Sequence, residues 1–447
     1  MRNQRERVVY LHSLGCNKNT VDSEVMLTLL RKAGYRITDN PEEASRLIVN
    51  TCAFIDEAKE ESIDAILELA ERRKNGVKLV ITGCMSQLYW KEIMDEIPEA
   101  DAVVGIGNLE YILEAVETPD GRRDFPESRR SDSVYQEYPL RAMFISSPGS
   151  AFLKISEGCS RGCSYCLIPR IRGKMRSRNP ESIIVEGKYL WEKGIHELVL
   201  TSQDTLSYGR DLPVENGLKT ILNGLLRETG IEFIRLLYLR PSSELLDLTD
   251  FFNDARVVPY FDIPFQHVSA PILRGMKRSG SAEEYTELIG TLREKVPDAV
   301  FRTTLMVGFP GETDKDFSSL LSFIEEIQFN HVGVFIFNPQ RGTAAFSMNR
   351  RVPKKVAEER RRLLMQTQQK ISRLLLERLI GNTFQVLVEE RFHGENLYMG
   401  RSYHFAPEVD GLFLLSSEKD ITPGEMVHAL VTGADDYDLH GELVDSL

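Results

Sequence analysis

Blocks of apolar and polar positions alternate along the first 118 residues and predict strands that alternate with helices. The short apolar runs have the length and composition of buried strands, and the stretches between them carry apolar residues at helical spacing. The predicted strands are 8–13, 47–51, 78–82 and 102–105, and the predicted helices are 21–33, 56–73 and 87–96. This order predicts a doubly wound parallel sheet with helices on both faces.

Residues 119–150 interrupt the pattern with Pro, Gly, Ser and Arg, which is typical of a linker. A second βα series follows it, and a long amphipathic helix at 353–379 ends the series. The predicted strands of this series are 152–155, 197–201, 233–238, 260–263, 300–306 and 332–337. Six such units predict a central partial β/α (TIM-like) barrel.

The last part of the chain loses the helical pattern and shows short apolar runs at 384–388, 412–415 and 427–431. Runs of this length without helices between them predict a small C-terminal antiparallel β-barrel. We therefore expect an α/β protein of three domains joined by one linker. The expected boundaries are 1–118, 119–150 (linker), 151–381 and 382–447.

Charge is distributed very unevenly along the 447 residues, whose formal net charge is −12. Residues 383–447 hold three basic and 13 acidic residues, a charge of −10, so the rest of the chain carries only −2. An acidic segment of this kind repels a nucleic-acid backbone and attracts a basic partner. A solubilising acidic surface explains the composition equally well.

The composition also limits where the protein acts. With 42% hydrophobic and 27% charged residues it is typical of a globular protein. No apolar run reaches the length of a membrane-spanning helix, and the apolar stretch behind the basic start is too short for a signal peptide. Six cysteines are too few for a disulfide scaffold in a chain of this length. We therefore expect a cytoplasmic protein, without membrane attachment, whose thiols are reduced.

Three of the cysteines, Cys159, Cys163 and Cys166, form a C-x3-C-x2-C motif in the loop after the first predicted barrel strand. Three thiolates this close suit an iron–sulfur cluster, and in a cubane with three protein ligands one iron stays free for another group. Zinc is the competing interpretation, but no His lies nearby to complete a structural zinc site. The loop position is one where a β/α barrel places its chemistry.

The other three cysteines, Cys16, Cys52 and Cys84, each follow a predicted strand of the N-terminal sheet within a few residues. Because parallel strands end at the same edge of a sheet, the three thiols are expected to converge there. The alternative is that each is a buried cysteine acting as a small hydrophobe. The repeated placement favours a second three-cysteine site.

These motifs together resemble the radical S-adenosylmethionine methylthiotransferases. The resemblance rests on Gly158–Cys166, on the earlier cysteines, on three further stretches and on a C-terminal domain like the TRAM domain, and it covers essentially the whole chain. The matching stretches are 13–24, 262–267 and 302–313. Within the family, residues 13–19, 400–402 and 406–411 resemble the branch that modifies an aspartate of small-subunit ribosomal protein twelve. The acidic C-terminal segment also favours a basic protein substrate over tRNA.

The resemblance implies two [4Fe–4S] clusters and S-adenosyl-L-methionine as cofactors. Breaking an unactivated C–H bond at the β-carbon of aspartate requires a cofactor radical. By resemblance, the cluster on Cys159, Cys163 and Cys166 cleaves S-adenosylmethionine to the radical that removes the hydrogen. The second cluster holds the sulfur that is methylated and delivered. A reducing electron donor and a basic ribosomal protein, free or on the ribosome, are the implied partners.

Two alternatives remain at this point: a tRNA adenosine methylthiotransferase, and a non-catalytic iron–sulfur or zinc redox sensor. No side chain is assigned a catalytic role. Gln203 and Arg302 near strand ends, with Gly308 and Gly311 in a glycine turn, are candidate cofactor-binding residues, although packing explains each equally well. Basic residues after Cys166 and along 350–378 are either solvated faces or contacts to a carboxylate or to ribosomal RNA.

Overall fold

The structure is a computed structural model that describes residues 7–74, 76–118, 121–129, 137–138, 140–392 and 394–444. Its strands in chain order are Val8–Ser13 (β1), Arg36–Ile37 (β2), Arg46–Thr51 (β3), Lys78–Gly83 (β4), Ala102–Val104 (β5), Arg123–Phe125 (β6), Ser150–Lys154 (β7), Ser156–Glu157 (β8), Arg176–Ser177 (β9), Glu197–Thr201 (β10), Phe233–Leu236 (β11), Tyr260–Asp262 (β12), Val300–Val307 (β13), His331–Ile336 (β14), Thr383–Arg391 (β15), Leu397–Arg401 (β16), Phe413–Ser416 (β17), Met426–Ala434 (β18) and Leu439–Val444 (β19).

The α-helices in the same residues are Asn17–Lys32 (α1), Asp56–Arg72 (α2), Cys84–Glu96 (α3), Tyr111–Val116 (α4), Ile168–Ile171 (α5), Pro180–Glu192 (α6), Gly217–Glu228 (α7), Ala270–Gly275 (α8), Ala282–Lys295 (α9), Asp314–Ile327 (α10) and Lys354–Glu377 (α11). Short 3₁₀ helices occur at Pro41–Glu43, Pro126–Arg129, Thr205–Ser207, Ser243–Asn253 and Ala344–Ser347.

The chain divides into two compact units. The first consists of residues 1–146, 154–161 and 166–179, and the second of residues 147–153, 162–165 and 180–447. The first unit contains the N-terminal sheet together with the antiparallel pair β8 and β9 and the helix α5. The second unit contains β7 up to Leu153, the strands of the central barrel from β10 onward and the C-terminal barrel.

The N-terminal sheet has the strand order β2-β1-β3-β4-β5-β6, and every pair in it is parallel. Alternate residues of β3 point to opposite faces, as the twofold period of a strand requires. Leu47 and Val49 pack with Ile66 of α2 and Ile93 of α3, whereas Ile48 packs on the other face with residues of α1 and α4. The predicted doubly wound sheet is therefore confirmed.

The sixth strand, β6, lies inside the segment whose composition predicts a linker. It pairs with β5, and its Phe125 is buried in the core on the α1 and α4 face. A strand of three residues is too short to show the alternating pattern of a strand. The Pro and Gly residues around it therefore lead to the prediction of a linker. The sheet consequently continues past residue 118.

The central barrel consists of two three-stranded sheets with the orders β11-β10-β7 and β12-β13-β14. The two sheets meet between β11 and β12, where Ile234 bridges Val257 in parallel and the Leu239 amide donates to the Asp262 carbonyl at 2.8 Å. All six predicted strands are present, and they form the partial barrel that the sequence predicts.

The C-terminal strands close into a barrel with the order β15-β16-β17-β19-β18, in which only β17 and β19 pair in parallel. The sequence pattern missed β16 and β19, each of which contains a glycine. A Cβ on Gly441 would lie 2.6 Å from the Phe413 ring, and one on Gly400 would lie 2.4 Å from the Leu387 carbonyl oxygen. Close approach inside the barrel requires these glycines, which also weaken the strand signal.

A buried ionic cluster joins the central barrel to the C-terminal barrel within the second unit. Glu197, at the start of β10, accepts hydrogen bonds from Arg235 of β11 at 2.8 Å and from Arg401 of β16 at 2.7 Å. Arg401 also pairs with Glu389 at 2.8 Å, so two cations face two carboxylates. Burial alone would raise the pKa of Glu197, but the charges and hydrogen bonds of Arg401 and Arg235 lower it to about 2.

This cluster predicts that Glu197→Gln destabilises the protein at neutral pH by about 3 kcal/mol, because a buried cation loses its partner. A carboxyl group whose folded pKa lies below its ordinary value of 4.5 contributes stability above that pH and loses it as the pH falls toward about 2. The difference from wild type should therefore shrink between pH 5 and pH 2 in denaturation followed by circular dichroism. Glu359→Gln, in an exposed pair with Arg362 on α11, should leave stability unchanged at every pH. A stability difference between wild type and Glu197→Gln that does not change with pH would contradict the description of Glu197 as a buried, ionised partner of the two arginines.

Candidate functional site

Three cysteines lie at the carboxyl edge of the N-terminal sheet, at the ends of three adjacent strands. Cys16 precedes α1 and follows β1 by three residues, Cys52 directly follows β3, and Cys84 directly follows β4 as the first residue of α3. Because β1 neighbours β3 and β3 neighbours β4, the strand ends deliver the thiols side by side. A Cβ placed on Gly15 would lie 3.1 Å from the sulfur of Cys52, which shows how closely the loop before Cys16 approaches the next thiol.

Two glycines allow the chain to turn sharply into these cysteines. Gly15 has a φ of +95° and Gly83 a φ of +100°, a region that residues with a Cβ avoid. At Gly83 a Cβ would lie 2.4 Å from both the amide nitrogen and the carbonyl oxygen of Thr51. A side chain at position 83 would therefore push Cys84 away from the neighbouring strand.

Asn19 holds the three strand ends together from the first turn of α1. Its amide nitrogen donates to the carbonyl oxygens of Leu14 at 2.9 Å and Thr51 at 3.0 Å. Its side-chain oxygen accepts from the thiol of Cys84 at 3.5 Å and from Arg172 at 2.5 Å. Asn19 is buried, so these contacts satisfy an amide that would otherwise be costly to remove from water.

The surroundings of the three thiols differ electrostatically. Burial would raise the pKa of Cys16, but the positive charges of Lys18 and Arg172 and the backbone N–H groups at the start of α1 lower it. Burial raises the pKa of Cys52, and it raises that of Cys84 to about 12 although Arg172 opposes the shift. Soft metals bind cysteine in its thiolate form. The positive charge of the iron in a bound cluster would favour the thiolate forms of Cys52 and Cys84, which burial disfavours.

The C-x3-C-x2-C segment is divided between the two units. Cys159 and Cys166 belong to the first unit and Cys163 to the second. In the first unit the sulfur of Cys159 accepts from the amide of Arg161 at 3.4 Å, and that of Cys166 accepts from the amide of Ile168 at 3.4 Å. Backbone donors to sulfur are one of the means by which proteins stabilise iron–sulfur clusters.

The backbone around Cys159 is fixed by a close approach to the segment that follows α5. The Cys159 amide donates to the Gly173 carbonyl at 3.1 Å, and Gly158 has a φ of +76°. A Cβ on Gly158 would lie 2.3 Å from the Lys174 carbonyl oxygen. Only glycine therefore fits before Cys159.

All six cysteines are free of disulfides, and they form a soft ligand set. Across the described residues, no three Cys, His, Asp or Glu side chains converge as the ligands of a single ion would. A cubane binds its thiolates on separate irons, so its ligands are held apart by the width of the cluster. The donor chemistry of both sets fits such a cluster.

Three of the predicted cofactor-binding residues lie after the carboxyl ends of their strands. Gln203 follows β10 by two residues, and Gly308 and Gly311 lie in the turn after β13 with φ of +78° and +91°. The carboxyl ends of barrel strands are where this fold places its chemistry. Arg302 differs, because it is the third residue of the eight-residue β13.

Arg302 is occupied by contacts within the second unit. It pairs with Asp262 of β12 at 3.0 Å and with Asp410 of the C-terminal barrel at 3.3 Å. Asp410 also accepts a hydrogen bond from Tyr260. The residue therefore joins the two barrels, and its role toward a cofactor stays a prediction.

Sequence reasoning missed Glu312, which shapes the glycine turn. Its carboxylate accepts from the backbone amides of Gly308 and Phe309 and pairs with Arg360 of α11 at 3.2 Å. Arg360 is the one buried cation among the ten basic residues at 350–378. The signal available in the sequence was only that the turn ends in an acidic residue.

The basic run after Cys166 is also divided by burial. Arg170 and Lys174 are exposed, whereas Arg172, Arg176 and Arg178 are buried. The interpretation as a solvated face therefore applies to only part of the run. Arg172 is the member that reaches the cysteines, at 3.7 Å from the sulfur of Cys84.

Three family profiles match the chain in succession. Residues 8–105 match Uncharacterized protein family UPF0004, residues 153–324 match the radical SAM superfamily, and residues 380–444 match the TRAM domain. Among the residues that the structure describes, no helix has both the length and the apolar character needed to cross a membrane.

Curated relatives match over nearly their whole length. The ribosomal protein uS12 methylthiotransferase RimO of Syntrophomonas wolfei is 43% identical, with 96% of this chain and 98% of the relative covered. The enzyme of the same name from Aquifex aeolicus is 43% identical, with 97% of each chain covered. The one from Geobacter sulfurreducens is 42% identical, with 99% of this chain and all of the relative covered.

Solved structures share the fold at low sequence identity. The radical S-adenosylmethionine methyltransferase TsrM from Kitasatospora setae aligns with a TM-score of 0.53 over 74% of this chain and 73% of its own, at 16% identity. OxsB, a cobalamin-dependent S-adenosylmethionine radical enzyme, aligns with a TM-score of 0.51 over 81% of this chain and 56% of its own, at 12% identity. These likenesses support the arrangement of the α/β parts of the chain.

The electrostatics predict an order of thiol reactivity in metal-free protein that lacks Cys159, Cys163 and Cys166. Cys16 is partly exposed and has a lowered pKa, so iodoacetamide near pH 8 should modify it well before Cys84, which is buried with a raised pKa. Peptide mass spectrometry over time measures both rates. Lys18→Gln should slow the reaction of Cys16, whereas Lys32→Gln, at the far end of the same helix, should leave the rate unchanged. Faster modification of Cys84 than of Cys16 would contradict this description.

Proposed function

The chain belongs to the ribosomal protein uS12 methylthiotransferase family, and on that basis we propose that it replaces a hydrogen on the β-carbon of an aspartate of uS12 with a methylthio group. The family membership makes it a radical SAM enzyme. The observation that carries the proposal is that three adjacent parallel strands are each followed by a cysteine within three residues, upstream of a separate three-cysteine motif in the radical SAM segment.

The cofactors are S-adenosyl-L-methionine and two [4Fe–4S] clusters. We assign one cluster to Cys16, Cys52 and Cys84, and the other to Cys159, Cys163 and Cys166, which together account for every cysteine of the chain. When bound, these groups supply the one-electron chemistry that cleaves an unactivated C–H bond, which no protein side chain performs at neutral pH.

The protein's own residues position and shield this chemistry. The backbone amides of Arg161 and Ile168 donate to the sulfurs of Cys159 and Cys166, and Asn19 fixes the loop around Cys16. These contacts hold Cys16, Cys159 and Cys166 in place before a cluster binds, which reduces the entropy lost on binding. Gly83 and Gly158 let the chain pass close to the neighbouring backbone at Thr51 and at Lys174.

Gln203, Gly308 and Gly311 are proposed to contact S-adenosylmethionine, since they lie at the carboxyl ends of β10 and β13. Glycine turns permit close backbone approach to a ligand. Glu312 is proposed to hold that turn in place through the amides of Gly308 and Phe309. Arg302 remains a weaker candidate because Asp262 and Asp410 already occupy its guanidinium.

We assign the functional modules as 1–118 for the second cluster, with β6 at Arg123–Phe125 completing its sheet, 151–381 for the radical SAM barrel and 382–447 for substrate binding. Glu389 and Asp410 are buried in ion pairs, so the acidic surface of the last module is smaller than its composition suggests. Within the part of this module that the structure describes, the exposed acidic residues are Glu390, Glu395, Glu408, Glu418, Asp420, Glu425, Asp435 and Glu442. This surface suits a basic ribosomal protein and repels tRNA.

The proposed reaction implies an electron donor, because the chemistry is reductive. It also implies a cytoplasmic location, because the proposed substrate is a ribosomal protein. Nine of the ten basic residues between 350 and 378 are exposed, which supports contact with ribosomal RNA when uS12 is part of an assembled or assembling subunit.

The proposal predicts that anaerobically reconstituted protein, given S-adenosylmethionine and a reductant, converts purified uS12 to a product carrying one methylthio group on an aspartate. Fragment-ion mass spectrometry of uS12 identifies the modified residue. A C16A/C52A/C84A variant, which retains the radical SAM cysteines, should give no methylthio product. It should still cleave S-adenosylmethionine, because that step uses the other three thiols.

The same reaction mixture with bulk tRNA in place of uS12 tests the related adenosine-modifying activity. We expect no methylthio nucleoside after digestion of the tRNA. Methylthio adenosine with unmodified uS12 would overturn the choice of substrate, and modification of neither would overturn the assignment as an enzyme of this class.

A further inference from the structure

Arg172 lies at the centre of a buried charge cluster in the first unit. Its Nη1 lies 3.0 Å from Asp22 and 2.9 Å from Glu157. Lys154 pairs with both of these carboxylates, at 2.8 Å from Glu157. Two cations therefore balance two carboxylates, and all four side chains are almost completely removed from solvent.

The other terminal nitrogen of Arg172 faces away from the carboxylates and toward the thiols. Nη2 donates to Asn19 at 2.5 Å and lies 3.7 Å from the sulfur of Cys84. The two terminal nitrogens of the planar guanidinium therefore have different partners. Nη1 contacts the carboxylates, and Nη2 points to the edge of the sheet where the cysteines lie. A lysine could not divide its contacts in this way, because its ammonium is a single point of charge.

The cluster also extends to the backbone beside the radical SAM cysteines. The Glu157 carboxylate that binds Arg172 accepts a hydrogen bond from the Gly158 amide at 3.2 Å. Gly158 precedes Cys159, so Arg172 and Glu157 form a continuous hydrogen-bonded path between Cys84 and the start of the C-x3-C-x2-C motif.

We propose that Arg172 is a positioning residue that raises the reduction potential of the cluster bound by Cys16, Cys52 and Cys84. The inference rests on the proposed function. Reduction adds a negative charge to a cluster, and a fixed cation in a buried site stabilises the reduced form. Hydrogen bonds to the ligand sulfurs act in the same direction. Asp22 and Glu157 oppose the effect less, because they bind the nitrogen that points away from Cys84.

The central variant for testing this is E157Q/R172Q, made in a C159A/C163A/C166A background that binds only the second cluster. The paired change removes one cation and one carboxylate, so Asp22 and Lys154 still balance each other. The matched control is E24Q/R141Q, which removes another buried ion pair of the same unit. Each protein is reconstituted anaerobically, and its midpoint potential is measured by redox titration followed by electron paramagnetic resonance.

The expected result is that E157Q/R172Q is harder to reduce than its parent by at least tenfold in the equilibrium constant, or about 59 mV for one electron. E24Q/R141Q should keep the potential of the parent. The midpoint potential of R172K should also fall, but by less, because lysine keeps the positive charge and cannot contact the carboxylates and Cys84 at the same time. A merely structural role would move neither potential.

Potentials of E157Q/R172Q and R172K that equal that of E24Q/R141Q would overturn the inference. It would also be overturned if both variants failed to bind iron while the control bound it, because Arg172 would then build the site instead of setting its potential. If the parent itself binds no iron where about four per chain are expected, the proposed function fails independently of Arg172.

Discussion

Parallel strands end at a common edge of their sheet, and this constraint determines where the chemistry of the protein can take place. Three neighbouring strands of the N-terminal sheet are each followed by a cysteine within three residues, so the register of the sheet places the thiols. Apolar cores on both faces stabilise that register. The ligand geometry is thus supported by a sheet that is packed on both faces, and at most two residues lie between the end of a strand and its cysteine.

Buried charges perform two different tasks on this framework. A buried ion pair is costly unless it is fully compensated, and in both clusters described above the cations and carboxylates balance. The cluster around Glu197 and Arg401 ties the C-terminal barrel to the central barrel, whereas the cluster around Arg172 reaches a candidate metal ligand. Arg401 and Asp410 lie in the segments that resemble the ribosomal-protein branch, and the structure shows that both residues hold the two barrels together.

The fold and the cysteine edge could be predicted from the sequence because both depend on local patterns. Buried parallel strands appear as continuous apolar runs, and a cysteine directly after such a run must lie at the sheet edge. Short or glycine-containing strands such as Arg123–Phe125 and Leu439–Val444 have too weak a pattern to be found in this way. Contacts between residues far apart in sequence, such as Arg172 with Asn19 or Arg302 with Asp410, leave no periodic signal, because they depend on which charges the fold buries together.

Iron analysis with Mössbauer spectroscopy after anaerobic reconstitution shows whether the six cysteines form two separate cluster sites of three. Two such sites would give about eight irons per wild-type chain and about four in each of the variants C16A/C52A/C84A and C159A/C163A/C166A, all as [4Fe–4S] clusters. Zinc in place of iron would contradict this prediction. So would a single cluster in the wild-type protein, or the loss of all iron when either set of three is removed.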